Sequence, residues 1–240
     1  MSYMDMPGGP TRVEQLRFRP LEAGWTRAGR PPGLAEGQVH VWRTTLASND
    51  PALLTPDERE RARRFADPAA FVAGRTLLRR TLAAYGETPP HDVTLAYDAL
   101  GKPRLASPSP LRFNLAHAGE LVLLAVASGL EVGIDVEAMA PVADLDAVAR
   151  LSLTPRELDR LAPLTGPERD AAFIRIWCCK EAWGKWRGDG VAQLLDVEVE
   201  IEPGPGPGPG AGLWMLPLGS AYAGALAAPG AAAVQLLDPS

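Results

Sequence analysis

Apolar and polar positions along the chain fall into two kinds of run, and the order of those runs predicts the architecture. Residues 38–43, Gln-Val-His-Val-Trp-Arg, alternate as a strand does, with His40 opposite the valines and read as an ordinary exposed or half-buried side chain. Thr55-Pro56-Asp57-Glu58 is a helix start, with a capping hydroxyl, proline in the first turn and acids beside it. That helix carries Arg59, Arg61, Arg63 and Arg64 up to Phe65, and a second runs from Pro68 to Tyr85 with Phe71, Leu78 and Leu82 on its buried stripe. Strands follow at Val93–Tyr97, Leu111–His117, Leu121–Ala127 and Glu131–Glu137, with Gly101-Lys102-Pro103 as an exposed turn.

Helical spacing returns over Leu145–Leu151, over Thr154–Leu161 behind a second capping box (Thr154-Pro155-Arg156-Glu157), and over Arg169–Arg187. Strands close the chain at Val197–Ile201, Leu213–Leu218, Ala221–Ala227 and Ala232–Leu237, and the acids of the first of these, Glu198 and Glu200, are read as solvated. Four Pro-Gly repeats at Pro203–Gly210 are neither helix nor strand. Strand, helices and strands thus occur twice, which predicts an α+β protein of two similar halves, residues 38–129 and 130–240, meeting near Gly129. Residues 1–37, rich in Gly, Pro and Arg, are expected to form a tail.

Composition narrows the class. Cys178 and Cys179 are adjacent and unsuited to bridging each other, and no basic-then-apolar opening marks a signal peptide, so a cytoplasmic protein with reduced thiols is expected. The longest apolar run, Leu121–Ala127, is too short to span a membrane. The net charge of −5 is split unevenly, +3 over residues 1–129 and −8 over residues 130–240, which suits a ligand with anionic groups on one side and a metal on the other. The arginines come without a net basic domain or interleaved aromatics, so nucleic acid is not an expected partner.

The candidate chemistry centres on residues 177–188, WCCKEAWGKWRG, where Trp177, Glu181 and Lys185 share one helical face, Lys180 sits one position away, and Gly188 ends the helix. Asp135 and Glu137 point to the same side of their strand, about 7 Å apart at two residues of rise, and repel unless a cation lies between them. Hard oxygen ligands without clustered His or Cys favour Mg²⁺ over Zn²⁺. Gly133 leaves room beside the backbone. In the first half, Arg75 follows Gly74, where the missing side chain would let a ligand approach, and His117 ends its strand as a possible phosphate or carboxylate partner.

Taken together, Gly101-Lys102-Pro103, Phe113-Asn114-Leu115-Ala116-His117, Gly133-Ile134-Asp135-Val136-Glu137 and Trp177-x-x-Lys180-Glu181-Ala182-x-x-Lys185-x-x-Gly188 resemble, in order and spacing, the 4′-phosphopantetheinyl transferases of the surfactin-synthetase-activating type. The resemblance runs from about Thr55 to Leu226. It implies a monomer with coenzyme A in the cleft between the halves, moving phosphopantetheine to a serine of an acyl or peptidyl carrier protein and releasing 3′,5′-ADP. Carried over by position, Asp135, Glu137 and Glu181 would hold Mg²⁺. Lys180 and Lys185 would meet the phosphates, with Lys185 and Glu181 catalytic. Lys102 and His117 would touch the phosphates from the first half, and Arg75, with Arg61 as a second candidate, the 3′-phosphate. Glu181 would take the serine proton directly or through a water. Ala116 and Ala118 stand where the family has hydroxyls, and residues 192–195 lack its glycine-leucine pattern. Two other classes stay open: a coenzyme A-binding protein without turnover, and an unrelated Mg²⁺-dependent phosphohydrolase.

Overall fold

The structure is a computed structural model and describes residues 14–99, 101–188, 194–195, 197–200, 211–230 and 232–239. The Pro-Gly repeat and residues 192–193 of the 192–195 loop lie outside these residues. In chain order the elements are β1 (Glu14–Pro20), β2 (Trp25–Ala28), β3 (Gln38–Thr45), α1 (Pro56–Ala62), α2 (Ala69–Gly86), β4 (Leu95–Tyr97), β5 (Pro103–Leu105), β6 (Leu111–Ala118), β7 (Leu121–Ser128) and β8 (Gly133–Ala138). They continue with α3 (Leu145–Ser152), α4 (Pro155–Leu161), α5 (Gly166–Arg187), β9 (Val197–Glu200), β10 (Ala211–Met215), β11 (Tyr222–Pro229) and β12 (Ala233–Pro239).

Two five-stranded sheets result, ordered β2-β12-β3-β7-β6 and β8-β11-β10-β1-β9, with β4 and β5 as a separate ribbon. Their cores repeat one plan. In each, the strand before the helices pairs antiparallel with the second strand of a hairpin that follows them: β3-β7-β6 in one, β8-β11-β10 in the other. Helix α2 packs on the first sheet and α5 on the second. The architecture is α+β, as the run order predicts.

The ends of the chain depart from that prediction. The 1–37 segment is no tail over its described part, because β1 runs parallel to both β9 and β10 inside the second sheet, with Phe18 opposite Leu213. Leu16 and Phe18 are buried while Gln15 and Arg17 stay exposed, a period of two that the Gly-, Pro- and Arg-rich surroundings obscure. At the other end β12 lies in the first sheet, parallel to β3 and to the edge strand β2. Residues 130–240 are therefore not a self-contained half. Each sheet takes a strand from the far end of the chain, and apolar residues of both, including Val41, Leu123, Ile134 and Leu226, form one shared core.

Among the described residues no helix is long and apolar enough to cross a membrane. Both cysteines are free and buried. His40, expected to be exposed or half-buried, is fully buried. Its Nδ1 lies 2.6 Å from the Tyr85 hydroxyl, which also accepts from Trp42 Nε1 at 3.1 Å. Glu198 is likewise buried, 3.2 Å from Arg160 Nη2, and not solvated.

Candidate active site

The second-half site is built on a close approach of α5 to β8. A Cβ at Gly133 would stand 2.1 Å from the Ala182 carbonyl oxygen and 2.3 Å from the Trp186 nitrogen, so only glycine lets the helix backbone rest on the strand here. That contact brings residues 177–185 over the acids of β8. Lys185 Nζ donates to Asp135 Oδ1 at 2.6 Å, and Trp177 Nε1 donates to Glu137 Oε1 at 3.1 Å. Trp177 is held in turn by stacking on Phe173.

Asp135, Glu137 and Glu181 disturb one another. Burial raises the pKa of all three, and the charge of Asp135 raises Glu137 and Glu181 further, while Lys185 acts to lower them. Among the described residues Asp135 Oδ2 and Glu181 Oε1 are buried without a hydrogen-bond partner. Two of the three carboxylates thus keep an unmet oxygen, and Lys185 is the cation that reaches Asp135 among the described residues. The carboxylates are the hard donors available to a divalent ion, yet among the described residues no three His, Cys, Asp or Glu side chains stand close enough together to hold one.

Lys180 does not join them. At 100° per residue it turns away from Glu181, and its ammonium is wholly buried. It reaches Glu157 Oε2 at 2.6 Å, the Leu194 carbonyl at 2.8 Å and the Ser152 carbonyl at 3.0 Å. An ammonium has three donors, so none remains for a phosphate. Burial acts to lower its pKa and Glu157 to raise it. The placement of Lys180 on the phosphates is therefore corrected: it ties the ends of α3 and α4 and residue 194 to α5. The signal for this lay in Thr154-x-x-Glu157, whose N3 acid is buried.

The first half meets the second along β6 and β8. Asn114 Oδ1, buried, accepts the Ile134 amide at 2.9 Å and pins the two strands one residue from Asp135. This fixing role of Asn114 has no local signal in the sequence. His117 lies three residues further along β6 and is exposed. Lys102 Nζ donates to the Lys185 carbonyl at 2.7 Å and lies 3.6 Å from Glu131 Oε2. A cavity of about 460 Å³ opens beside it, lined by Arg112, Phe113 and Glu131 among others. Lys102 thus reaches the backbone of Lys185, whose own ammonium points to Asp135.

Arg61 and Arg75 form a second cationic group on α1 and α2. The Arg75 guanidinium lies 5.2 Å from the Phe71 ring centre and 5.8 Å from that of Tyr97, and Arg61 is 5.7 and 5.9 Å from the same rings. Arg75 is buried, its Nε 3.7 Å from Glu58 Oε1, its Nη1 without a partner among the described residues, and its pKa lowered chiefly by burial. The space over Gly74 is not open to a ligand, because a Cβ there would meet Leu115 Cδ2 at 2.8 Å. Tyr97 pairs with Pro103 across the β4–β5 ribbon, next to Lys102. A cationic track therefore runs from Arg61 and Arg75 past Tyr97 to Lys102 and Lys185, and ends at the three carboxylates.

Comparison with known proteins agrees in kind. Residues 41–129 match the model of the 4′-phosphopantetheinyl transferase N-terminal region, and residues 131–223 match that of the 4′-phosphopantetheinyl transferase superfamily. The chain is 38% identical over 183 residues to 4′-phosphopantetheinyl transferase HetI of Nostoc, which covers 70% of this chain and 77% of that protein. It is 33% identical to AcpT of Escherichia coli K12 over 61% of this chain and 72% of the relative, and 30% identical to the Bacillus subtilis 4′-phosphopantetheinyl transferase over 60% and 65%. The chain belongs to the 4′-phosphopantetheinyl transferase family.

Proposed function

We propose that this protein transfers 4′-phosphopantetheine from coenzyme A to a serine of an acyl or peptidyl carrier protein, releasing 3′,5′-ADP, and that it is a monomer of the surfactin-synthetase-activating type. The observation that carries the reading is the track of cations leading to paired, unsatisfied carboxylates. A doubly anchored, polyanionic co-substrate fits the track, and a hard cation fits the carboxylates.

Asp135, Glu137 and Glu181 would hold Mg²⁺, which supplies charge neutralisation on the pyrophosphate when bound. The orphaned oxygens of Asp135 and Glu181, and the upward push of the Asp135 charge on the pKa values of Glu137 and Glu181, fit such an ion. Lys102 and Lys185 bind the phosphates, and His117 meets them from the rim of β6. Arg75 and Arg61 bind the 3′-phosphate. Ala116, buried in the shared core, offers no hydroxyl, so the lysines bear more of the phosphate binding than in relatives with a serine there.

In the transfer the serine Oγ of the carrier forms a bond to the phosphorus that bears the pantetheine arm. The bond from that phosphorus to the bridging oxygen breaks, and 3′,5′-ADP takes the electron pair. Glu181, raised toward the working pH by burial and by its acidic neighbours, accepts the serine proton directly or through a water. Lys185 stabilises the charge that grows on the leaving oxygen. Trp177 holds Glu137 in place by its indole hydrogen bond.

The test is intact-protein mass spectrometry of an apo peptidyl carrier protein incubated with this protein, coenzyme A and Mg²⁺, beside an EDTA control. One added phosphopantetheine that disappears with EDTA is the expected result. No addition on peptidyl, polyketide and fatty-acid carriers, with coenzyme A still bound, would favour a binding protein without turnover. Phosphopantetheine in solution would favour a phosphohydrolase.

A further inference from the structure

The cation pair at Arg61 and Arg75 is held in an unusual way. Arg75 lies close enough to Arg61 and Arg79 that both act to lower its pKa, so three guanidiniums crowd one region. Glu58 is the carboxylate among them, and Arg79 engages it most closely, at 2.9 Å, while also donating to the Val93 carbonyl at 2.8 Å. Arg75 is left 3.7 Å from Glu58 with a buried, unpartnered Nη1. Arg61 and Arg75 would repel, and both lie over the same two rings, Phe71 and Tyr97.

The two rings are not equivalent. Phe71 is anchored on α2, stacks on Phe65, and packs against the small apolar cluster of Leu54, Ala62 and Val72. Tyr97 comes from the β4–β5 ribbon and is 42% exposed, one of two exposed large aromatic rings among the described residues. It links the helices that carry the arginines to the ribbon that carries Lys102.

The geometry points to Tyr97 as the positioning residue that sets preference for the 3′-phosphorylated co-substrate. Resting on the reading that Arg75 and Arg61 meet the 3′-phosphate, it assigns the Tyr97 ring the task of keeping two like-charged guanidiniums together as one dianion-binding pair. A ring face partly offsets their repulsion without neutralising either, so the pair keeps its full charge for the ligand. A carboxylate in the same place would compete with the phosphate. The ring, not the hydroxyl, does this.

Steady-state kinetics with coenzyme A and with 3′-dephospho-coenzyme A test the assignment. Tyr97→Leu should raise the KM for coenzyme A roughly 3- to 10-fold, the range of one to two lost cation–ring contacts, and that for the dephospho form by less than about twofold. Tyr97→Phe should restore the preference. Equal KM changes for both co-substrates in Tyr97→Leu, or a Tyr97→Phe variant as impaired as Tyr97→Leu, would overturn the assignment. Arg75→Ala, measured alongside, separates the two levels. If it abolishes the preference while Tyr97→Leu keeps it, only the role of Tyr97 falls. If the wild-type protein has no preference, or Arg75→Ala keeps it, the 3′-phosphate reading falls and this inference with it. Thermal midpoints check that the Tyr97 and Arg75 variants fold.

Discussion

The two halves contain the same small device and use it differently. In each, a threonine caps a short helix, proline follows, and the N3 glutamate closes a capping box: Thr55 with Glu58, Thr154 with Glu157. In each, that glutamate is buried and takes a cation from the next long helix of the sheet, Arg79 from α2 or Lys180 from α5. In the second half every partner is used. Glu157 Oε2 accepts from Lys180 and from the Thr154 amide, and Oε1 accepts the Val199 amide at 2.7 Å. In the first half one glutamate faces two arginines and Arg75 is left over. The closed version is a structural bolt, and the open version leaves Arg75 free for the binding role proposed for it. A surplus of one charge, not a different motif, separates the two.

The comparison breaks most sharply at the bolt. Lys180→Met leaves Glu157 buried and unpaired, and should cost about 3–5 kcal/mol of unfolding free energy. Arg75→Met leaves Glu58 its Arg79 partner and relieves repulsion, so it should change stability by no more than about 1 kcal/mol. Urea unfolding of both variants measures this. A Lys180→Met variant that is stable but no longer binds coenzyme A would return Lys180 to the phosphates.

One residue further along α5 the expected loss is catalytic. Glu181→Gln removes a charge from a crowded acidic group, so the fold should be at least as stable as the wild type, while turnover falls roughly 10²- to 10⁴-fold. Single-turnover transfer to an apo carrier protein reads the chemical step. Near-normal turnover would take Glu181 out of the mechanism.

The open site of the first half gives a smaller, selective effect. Arg75→Ala should weaken coenzyme A by roughly tenfold or more, the worth of one charge-assisted hydrogen bond, with much less effect on 3′-dephospho-coenzyme A. Calorimetric titration of both ligands decides it. Equal weakening would reject the 3′-phosphate assignment.

What was legible in the chain was what local spacing determines. Helix starts at Thr55 and Thr154, the Asp135–Glu137 pair and the Glu181–Lys185 face all follow from periods of two and 3.6 residues. Three things escaped. The direction of Lys180 depends on Glu157, twenty-three positions away in the sequence, waiting on the other side of the helix. The exchange of β1 and β12 between the sheets is a parallel pairing of strands from opposite ends of the chain, for which no local pattern exists. The open space imagined over Gly74 is filled by Leu115, a neighbour only the fold brings there. Gly133 was read more nearly correctly, since the room it leaves is used, though by the backbone of α5 rather than by a ligand.

A last contrast between the halves concerns pH and has the smallest expected effect. In the second half burial raises the pKa of Asp135, Glu137 and Glu181, so each binds its proton more tightly folded than unfolded, and their contribution to stability declines as pH rises through the raised values. In the first half His40 does the opposite. Burial lowers its pKa from 6.5 to about 4, so between those values the unfolded chain binds more protons than the folded one. Its contribution is complete above pH 6.5 and is lost as pH falls toward 4. The cause is burial: the His40 ring is fully buried, its Nδ1 is 2.6 Å from the Tyr85 hydroxyl, and its Nε2 has no partner among the described residues. His40→Asn is expected to be less stable than the wild type at pH 7.5, but to lose about 1–2 kcal/mol less between pH 7 and pH 5. Urea unfolding of both proteins at the two pH values measures the difference, and parallel pH profiles would mean that His40 is not the group that titrates.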